Sequence, residues 1–161
     1  AEIEREVKHD VIAFTTAVAE TMQQRGAAEH SRWLHYGLTS NDVVDTAQAL
    51  QIHQASALIA EGVQGLLAAL QRRAHEHQNT VQIGRTHGVH AEPITFGLKL
   101  ANFYDELRRN QARFLAAAEE IRVGKTSGAV GAFAHLSPEA EEKICHRLGL
   151  RAAPVSSQVL S

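Results

Sequence analysis

The feature that most constrains this chain is a long segment of helical periodicity that no proline interrupts. Apolar residues recur at steps of three and four from Val43 onward, and the first proline of the chain is Pro93. The tetrad Thr-Ser-Asn-Asp at 39–42 has the form of a capping box and predicts where the helix begins. If the helix runs to about His77, it has roughly 36 residues and is about 54 Å long. A helix of that length needs partners from a bundle, within the chain or between subunits.

The rest of the chain predicts further helices joined by loops. Besides the long helix, helices are expected at residues 1–24, 93–121 and 137–149. Pro93 is expected at the first position of its helix, where a proline is well tolerated. Residues 80–83 alternate and fit either a short strand or an extended stretch, whereas residues 84–92 and 124–131 are expected to be loops. The predicted fold class is therefore all-α, a bundle of long helices.

Composition excludes several classes of protein. Sixteen Lys and Arg against eighteen Asp and Glu give a formal net charge of -2, which offers no basic footprint for a nucleic acid. Cys145 is the one cysteine, so no intramolecular disulfide forms; together with the absence of a signal peptide this favours the cytoplasm. No apolar run approaches the roughly 18 residues that span a bilayer, so no membrane partner is expected. Because the chain starts at Ala1 rather than at Met, both ends are expected to be cuts through a longer protein.

Two loops carry side chains that are suited to chemistry. His87 lies in a tight polar loop between two long helices, a setting that favours a site histidine over a structural one. His90 and Glu92 beside it are metal-ligand types, but a glycine-containing loop presents them without rigidity, and we expect no metal. The hydroxyls of Thr39 and Ser40 suit a carboxylate, because a helix N-terminus attracts anions; plain capping is the alternative.

Four segments carry motifs that occur together in one family. In order, they are KHDVIAF at 8–14, HYGLTSNDVVDTA at 35–47, GRTHGVHAEP at 84–93 and GKTSGAVG at 124–131. With these segments the chain resembles the adenylosuccinate lyase family of the fumarase/aspartase superfamily, over essentially all 161 residues. The second and third segments are shared across the superfamily. The first, the fourth and AAPVSSQ at 152–158 point to the adenylosuccinate lyases.

The resemblance implies an enzyme that cleaves a C–N bond by β-elimination and releases fumarate. Its substrates would be adenylosuccinate, giving AMP, and the succinylocarboxamide ribonucleotide of purine biosynthesis. His87 would be the general acid that protonates the departing nitrogen, which a histidine can do near neutral pH. Thr39 and Ser40 would hold a succinyl carboxylate. Further implied substrate-binding residues are His9, Asp10, His35 and Gln158.

The resemblance also implies how the chain is organised. Residues 1–40 would end a first helical domain, and residues 41–161 would begin the central long-helix bundle. The family forms homotetramers with shared active sites and acts on small nucleotide substrates without a cofactor or metal. Its general base is a serine in an S-S-x-M-P-x-K-x-N motif, which this sequence does not contain. The chain alone is therefore expected to be inactive.

Two alternatives remain open. The first is another lyase of the superfamily acting on a different succinyl substrate, such as a carboxymuconate cycloisomerase-like or an argininosuccinate-type enzyme. The second is a helical interaction module without chemistry, in which Thr39, Ser40 and His87 would tolerate alanine.

Overall fold

The computed structural model describes residues 2–160 and is mostly helical, as predicted. Ala1, which the first predicted helix includes, and Ser161 lie outside the described residues. The chain divides into two compact units. The first comprises residues 1–51 and 122–161, and the second comprises residues 52–121. Among residues 2–160, no helix combines the length and the apolar character needed to cross a membrane.

The N-terminal segment forms two helices, α1 (Glu2–Val7) and α2 (Asp10–Gln24), so the prediction of one helix over 1–24 is wrong. Lys8 has a positive φ of 55°, which ends α1, and His9 is extended and caps α2. The apolar spacing continues from Val7 to Val11 across the break, so periodicity alone does not reveal it.

Helix α3 (Ser40–Glu76) has 37 residues and confirms the predicted long helix, including its start. The Asp42 carboxylate accepts the backbone N–H of Thr39 at 2.8 Å, which is the return contact of a capping box. A 3-10 helix (Ala28–Trp33) precedes it in the first unit.

In the second unit, β1 (Val81–Thr86) and β2 (Val89–Thr95) pair as an antiparallel hairpin. The expected loop over 84–92 is therefore wrong. The two-residue turn consists of His87 and Gly88, whose φ values of 50° and 76° are both positive, as a type I′ turn requires. Asn-Gly and Asp-Gly are the strong sequence signals for this turn, and His-Gly is not one of them.

Helix α4 (Phe96–Glu120) begins after β2, so Pro93 is not its first residue. Thr95 caps this helix by accepting the Leu98 N–H at 3.1 Å, and Pro93 lies in β2 opposite Ile83. A proline is tolerated there because both strands of a two-stranded sheet are edges.

The remaining elements complete the first unit. They are β3 (Val123–Gly124), α5 (Pro138–Arg147) and β4 (Arg151–Ala152), with β3 and β4 paired in parallel. Pro138 at the start of α5 and the Ser137 cap confirm the predicted short helix. Ala49, Cys145 and Leu150 form the buried core of this unit.

The second unit leaves many large apolar side chains exposed. They include Leu58, Ile59, Leu66, Leu98, Phe103 and Leu115. Among the described residues of this unit, Leu67 is the one large aliphatic side chain that is buried, with 7% of it exposed. The helices of the second unit therefore leave many large apolar side chains uncovered within this chain.

Candidate active site

The start of α3 brings together two predicted substrate-binding residues from different helices. The Nε2 atom of His9 lies 3.2 Å from the Oγ atom of Ser40. The Nδ1 atom of His9 accepts the backbone N–H of Ile12 at 3.4 Å and caps α2. The two side chains form a hydrogen bond in which either one can be the donor, depending on the tautomer of His9. A hydroxyl donor at a helix N-terminus is suited to a carboxylate.

Asp10 begins α2 beside this contact. Its Oδ1 atom accepts the backbone N–H of Val11 at 2.8 Å and lies 3.4 Å from the His9 Nδ1 atom. The Asp10 side chain is 75% exposed, so this carboxylate is available to a ligand. The predicted pair His9–Asp10 thus lies at a helix start and not within a helix.

A buried ion pair lies next to Thr39 and Ser40. The Lys125 ammonium contacts the Asp42 carboxylate, and both side chains are completely buried. No role for Lys125 follows from the sequence, because the segment around it lacks the glycine that a P-loop needs at Glu119. The sequence signals for this ion pair were two opposite charges, Lys125 in a segment of small residues and Asp42 in a capping box.

Gln158 is connected to the same ion pair through its backbone. The Gln158 carbonyl accepts a hydrogen bond from the Lys125 ammonium at 3.1 Å, while the residue itself is exposed. Two residues later, the Leu160 N–H donates to the Asp45 carboxylate at 2.8 Å. The predicted contact residue Gln158 therefore belongs to a segment that is fixed to the first turns of α3.

His35 lies in the turn before α3 and has a positive φ of 60°. Its Nε2 atom is buried, and no hydrogen-bond partner for it exists among the described residues. Buried polar atoms in folded proteins nearly always have a partner. An unpaired imidazole nitrogen is thus consistent with a ligand group at this position.

His87 lies in the second unit at the turn of the β1–β2 hairpin, and it is exposed. Within residues 2–160, its ring makes no hydrogen bond and no ion pair. The structure therefore brings His9, Ser40 and, through Lys125, Gln158 together in the first unit, and it places His87 in the second.

Two further buried groups, the Glu141 carboxyl and the Cys145 thiol, contact the 124–128 segment of the first unit. Glu141 is 2% exposed and accepts the Thr126 N–H; burial, more than any other cause, raises its pKa above the ordinary value of 4.5. Burial also raises the pKa of the Cys145 thiol to about 11. This thiol is protonated at neutral pH and therefore suited to packing, not to nucleophilic chemistry.

A metal site is not apparent in the described part of the chain. No group of three histidine, cysteine, aspartate or glutamate side chains within residues 2–160 is arranged to hold a metal ion. His90 and Glu92, the metal-ligand types near His87, both lie in β2.

Comparison with known proteins identifies the class to which this fold and site belong. A family model described as Lyase matches residues 1–160, and the chain belongs to this lyase family. The chain is 49% identical over 159 residues to the adenylosuccinate lyase of Bacillus subtilis (strain 168). It is 51% identical over the same length to the adenylosuccinate lyase of Staphylococcus saprophyticus. Each match covers 99% of this chain and 36% of the relative, so the chain spans little more than a third of the length of these relatives.

Solved structures show the same superfamily fold. The 3-carboxy-cis,cis-muconate lactonizing enzyme from Pseudomonas putida matches with a TM-score of 0.85 and 30% identity, over 94% of this chain and 35% of that chain. A fumarate lyase from Mesorhizobium sp. BNC1 matches with a TM-score of 0.83 and 29% identity, over 95% of this chain and 36% of that chain. These identities are well below those to the adenylosuccinate lyases.

Proposed function

We propose that this chain supplies part of the active site of an adenylosuccinate lyase, which releases fumarate from adenylosuccinate and leaves AMP. The same reaction on the succinylocarboxamide ribonucleotide gives the aminoimidazole carboxamide nucleotide, so both steps belong to purine biosynthesis. The observation that carries the proposal is the identity of 49% and 51%, along 99% of the chain, to two enzymes of that name. The contact between His9 and Ser40 at the start of α3, which joins two predicted substrate-binding residues, supports it independently.

The substrate's succinyl carboxylate binds at Thr39 and Ser40. When the carboxylate is bound, Ser40 donates its hydroxyl hydrogen to it, and the Nε2 atom of His9, 3.2 Å from the hydroxyl oxygen, donates to Ser40. The positive end of the α3 dipole adds about 0.3–1 kcal/mol of attraction for an anion. These contacts fix the carbon skeleton that becomes fumarate.

His87 acts as the general acid of the elimination. A base removes a proton from the carbon next to the C–N carbon, and that electron pair forms the double bond of fumarate. The C–N bonding electrons leave with the nitrogen, which takes a proton from His87. The base is supplied from outside these 161 residues, since the serine motif of the family is not among them.

The nucleotide part of the substrate binds at the remaining predicted positions. At the start of α2, Asp10 provides an exposed carboxylate, and His9 provides an imidazole that contacts Ser40 through its Nε2 atom. His35 provides a buried imidazole nitrogen that has no partner among the described residues, and Gln158 provides an exposed side chain. No metal or other cofactor takes part.

The functional protein is a homotetramer in the cytoplasm, with active sites shared between subunits. The support for assembly is the exposed apolar surface of α3 and α4, which copies of the chain would cover. Residues 1–40 end its first domain, and residues 41–161 begin its central bundle. Size-exclusion chromatography with light scattering tests the assembly; a stable monomer of the full gene product at micromolar concentration would contradict it.

The direct test of the proposal is a substrate panel with the full gene product. Fumarate release from adenylosuccinate is expected at about 1–10³ per second, the usual range for enzymes. Argininosuccinate and the carboxymuconate substrate serve as matched comparisons, because the muconate enzyme of Pseudomonas putida shares the fold. Preferred turnover of either comparison substrate would replace this proposal with another lyase of the superfamily.

Two controls separate the remaining possibilities. The 161-residue chain alone is expected to be inactive, and turnover at normal enzymatic rates would contradict the need for the serine motif. An interaction module without chemistry predicts that alanine at Thr39, Ser40 or His87 changes nothing measurable in the full gene product. Loss of turnover with retained folding in those variants would exclude such a module.

A further inference from the structure

Lys125 is a charged residue that the proposed reaction does not use, although its side chain is completely buried. Its ammonium has three acceptors. They are the Asp42 carboxylate, the Gly128 carbonyl at 3.4 Å and the Gln158 carbonyl at 3.1 Å. An ammonium has three N–H donors, so each of them is used.

The partner of Lys125 is just as fully engaged. One oxygen of Asp42 contacts Lys125, and the other accepts the N–H of Thr39 at 2.8 Å and the N–H of Gly128 at 3.1 Å. The backbone of Lys125 is held as well, since its N–H and its carbonyl each bond the Thr46 hydroxyl at 3.0 Å. One ion pair thus connects the Thr39–Ser40 cap, the 124–128 segment and the segment that carries Gln158.

Stability alone is a poor explanation for this arrangement. Removing two charges from water costs about as much as their attraction returns, and apolar replacements of a buried ion pair are often as stable as the original. What the pair does supply is geometry, because a charged network with every donor and acceptor satisfied has one favourable arrangement. The backbone that this geometry fixes is that of Thr39, which carries one of the two proposed carboxylate-binding hydroxyls.

The charges of Asp42 and Lys125 at the start of α3 also indicate a role in binding the substrate carboxylate. Asp42 lies two residues after Ser40, so an unpaired carboxylate there would repel an anion bound at the start of α3. Lys125 neutralises that charge inside the protein. The helix N-terminus therefore keeps its attraction for a substrate carboxylate although an aspartate is part of its cap.

We infer that Asp42 and Lys125 are positioning residues that orient Thr39 and Ser40 for the substrate carboxylate and keep that site free of negative charge. This inference rests on the proposed function. Neither side chain touches the substrate, since both are completely buried. Each acts through the cap of α3.

A double-mutant cycle in the full gene product tests the inference. The variants are Asp42→Asn, Lys125→Met and the two combined. Asp42→Asn and the combined variant lose the charge-assisted network but leave no negative charge at the site, so each is expected to lower kcat/KM for adenylosuccinate by about 10-fold. Lys125→Met also leaves the Asp42 charge unpaired, so a loss of about 100-fold is expected, mainly through a higher KM. The inhibition constant of fumarate, which probes the carboxylate site directly, should rise by a similar factor.

The combined variant distinguishes positioning from a merely structural role. It contains no lone buried charge, so it should unfold at a higher urea concentration than Lys125→Met. A positioning pair predicts that its kcat/KM nevertheless stays as low as that of Asp42→Asn. Recovery of kcat/KM together with stability would overturn the inference.

Control variants distinguish a loss of stability from a loss of positioning. Leu67→Ala removes a side chain of α3 that is 7% exposed and lies 25 residues beyond Asp42 along the helix; it should lose stability but keep the fumarate inhibition constant. Asp42→Asn is nearly isosteric and decides the question alone if Lys125→Met does not fold. A wild-type protein that does not convert adenylosuccinate would refute the proposed function, whereas an active wild type with unaffected folded variants would refute the positioning pair.

Discussion

The Nε2 atom of His9 lies 3.2 Å from the Oγ atom of Ser40, and this contact joins the start of α2 to the start of α3. The other ring nitrogen of His9 accepts the Ile12 N–H and caps α2. His9 therefore caps α2 through its Nδ1 atom and orients the Ser40 hydroxyl, a proposed substrate-binding group, through its Nε2 atom.

The two functions of His9 are separable by substitution. His9→Asn keeps a side-chain acceptor for the α2 cap but is too short to reach Ser40, whereas His9→Ala loses both contacts. Both variants should lower kcat/KM for adenylosuccinate by about fivefold or more, the equivalent of one hydrogen bond. Only His9→Ala should also lose about 1 kcal/mol of stability with the cap. Steady-state kinetics and urea unfolding on the same preparations check this, and wild-type kcat/KM in His9→Asn would contradict the role of the contact.

Gly97 allows α4 to begin close to the end of α3. A Cβ atom there would lie 2.5 Å from the Ala74 carbonyl oxygen, so Gly97→Ala should destabilise by about 1–3 kcal/mol through overpacking. Gly65→Ala is the matched control in the same unit, because nothing lies within 4 Å of its added Cβ. That variant should gain up to about 1 kcal/mol from helix propensity. Urea unfolding measures both, and equal stability of the two variants would show that the close approach is absent.

Glu141 makes stability depend on pH in an unusual direction. Its pKa is raised in the folded protein, chiefly by burial, so its contribution to stability is present below 4.5 and is lost as the pH rises through the higher folded value. Glu141→Gln keeps an oxygen acceptor for the Thr126 N–H and removes the charge. The variant should therefore be at least as stable as the wild type at pH 7 and should lose less stability between about pH 5 and pH 7.

The pKa of Glu139, in the same helix, is shifted in the opposite direction. The side chain of Ser137, more than any other cause, lowers the pKa of Glu139, so its contribution is present above 4.5 and is lost as the pH falls. Glu139→Gln should be slightly less stable than the wild type at pH 7. Unfolding curves at both pH values compare the two variants; a Glu141→Gln protein that is clearly less stable than the wild type at pH 7 would refute the account of Glu141.

Local signals predicted much of the fold. The start of α3 at Ser40 and the cap of α5 at Ser137 were predictable because capping depends on a few neighbouring residues. The break at Lys8 was not, since one residue with positive φ leaves the apolar spacing unchanged. The His87–Gly88 turn was not either, because His-Gly is not a strong signal for a type I′ turn.

The site was less predictable than the fold. The contact between Asp42 and Lys125 joins residues 83 positions apart, and no local pattern pairs them. The His9–Ser40 contact spans 31 positions and depends on the same break in the helix that periodicity does not show. Residue types and order suggested which side chains take part, whereas the tertiary packing determines which of them meet.

The most direct test of the account is the rate at which the His87→Gln variant of the full gene product releases fumarate at saturating adenylosuccinate. Glutamine keeps the size and polarity of the side chain but cannot supply the proton, so kcat should fall by about 10²–10⁴-fold. KM and the unfolding midpoint should change little, because His87 is exposed at the hairpin turn and has no partner among the described residues. A His87→Gln protein that keeps the wild-type kcat per folded molecule would contradict the assignment of His87 as the general acid.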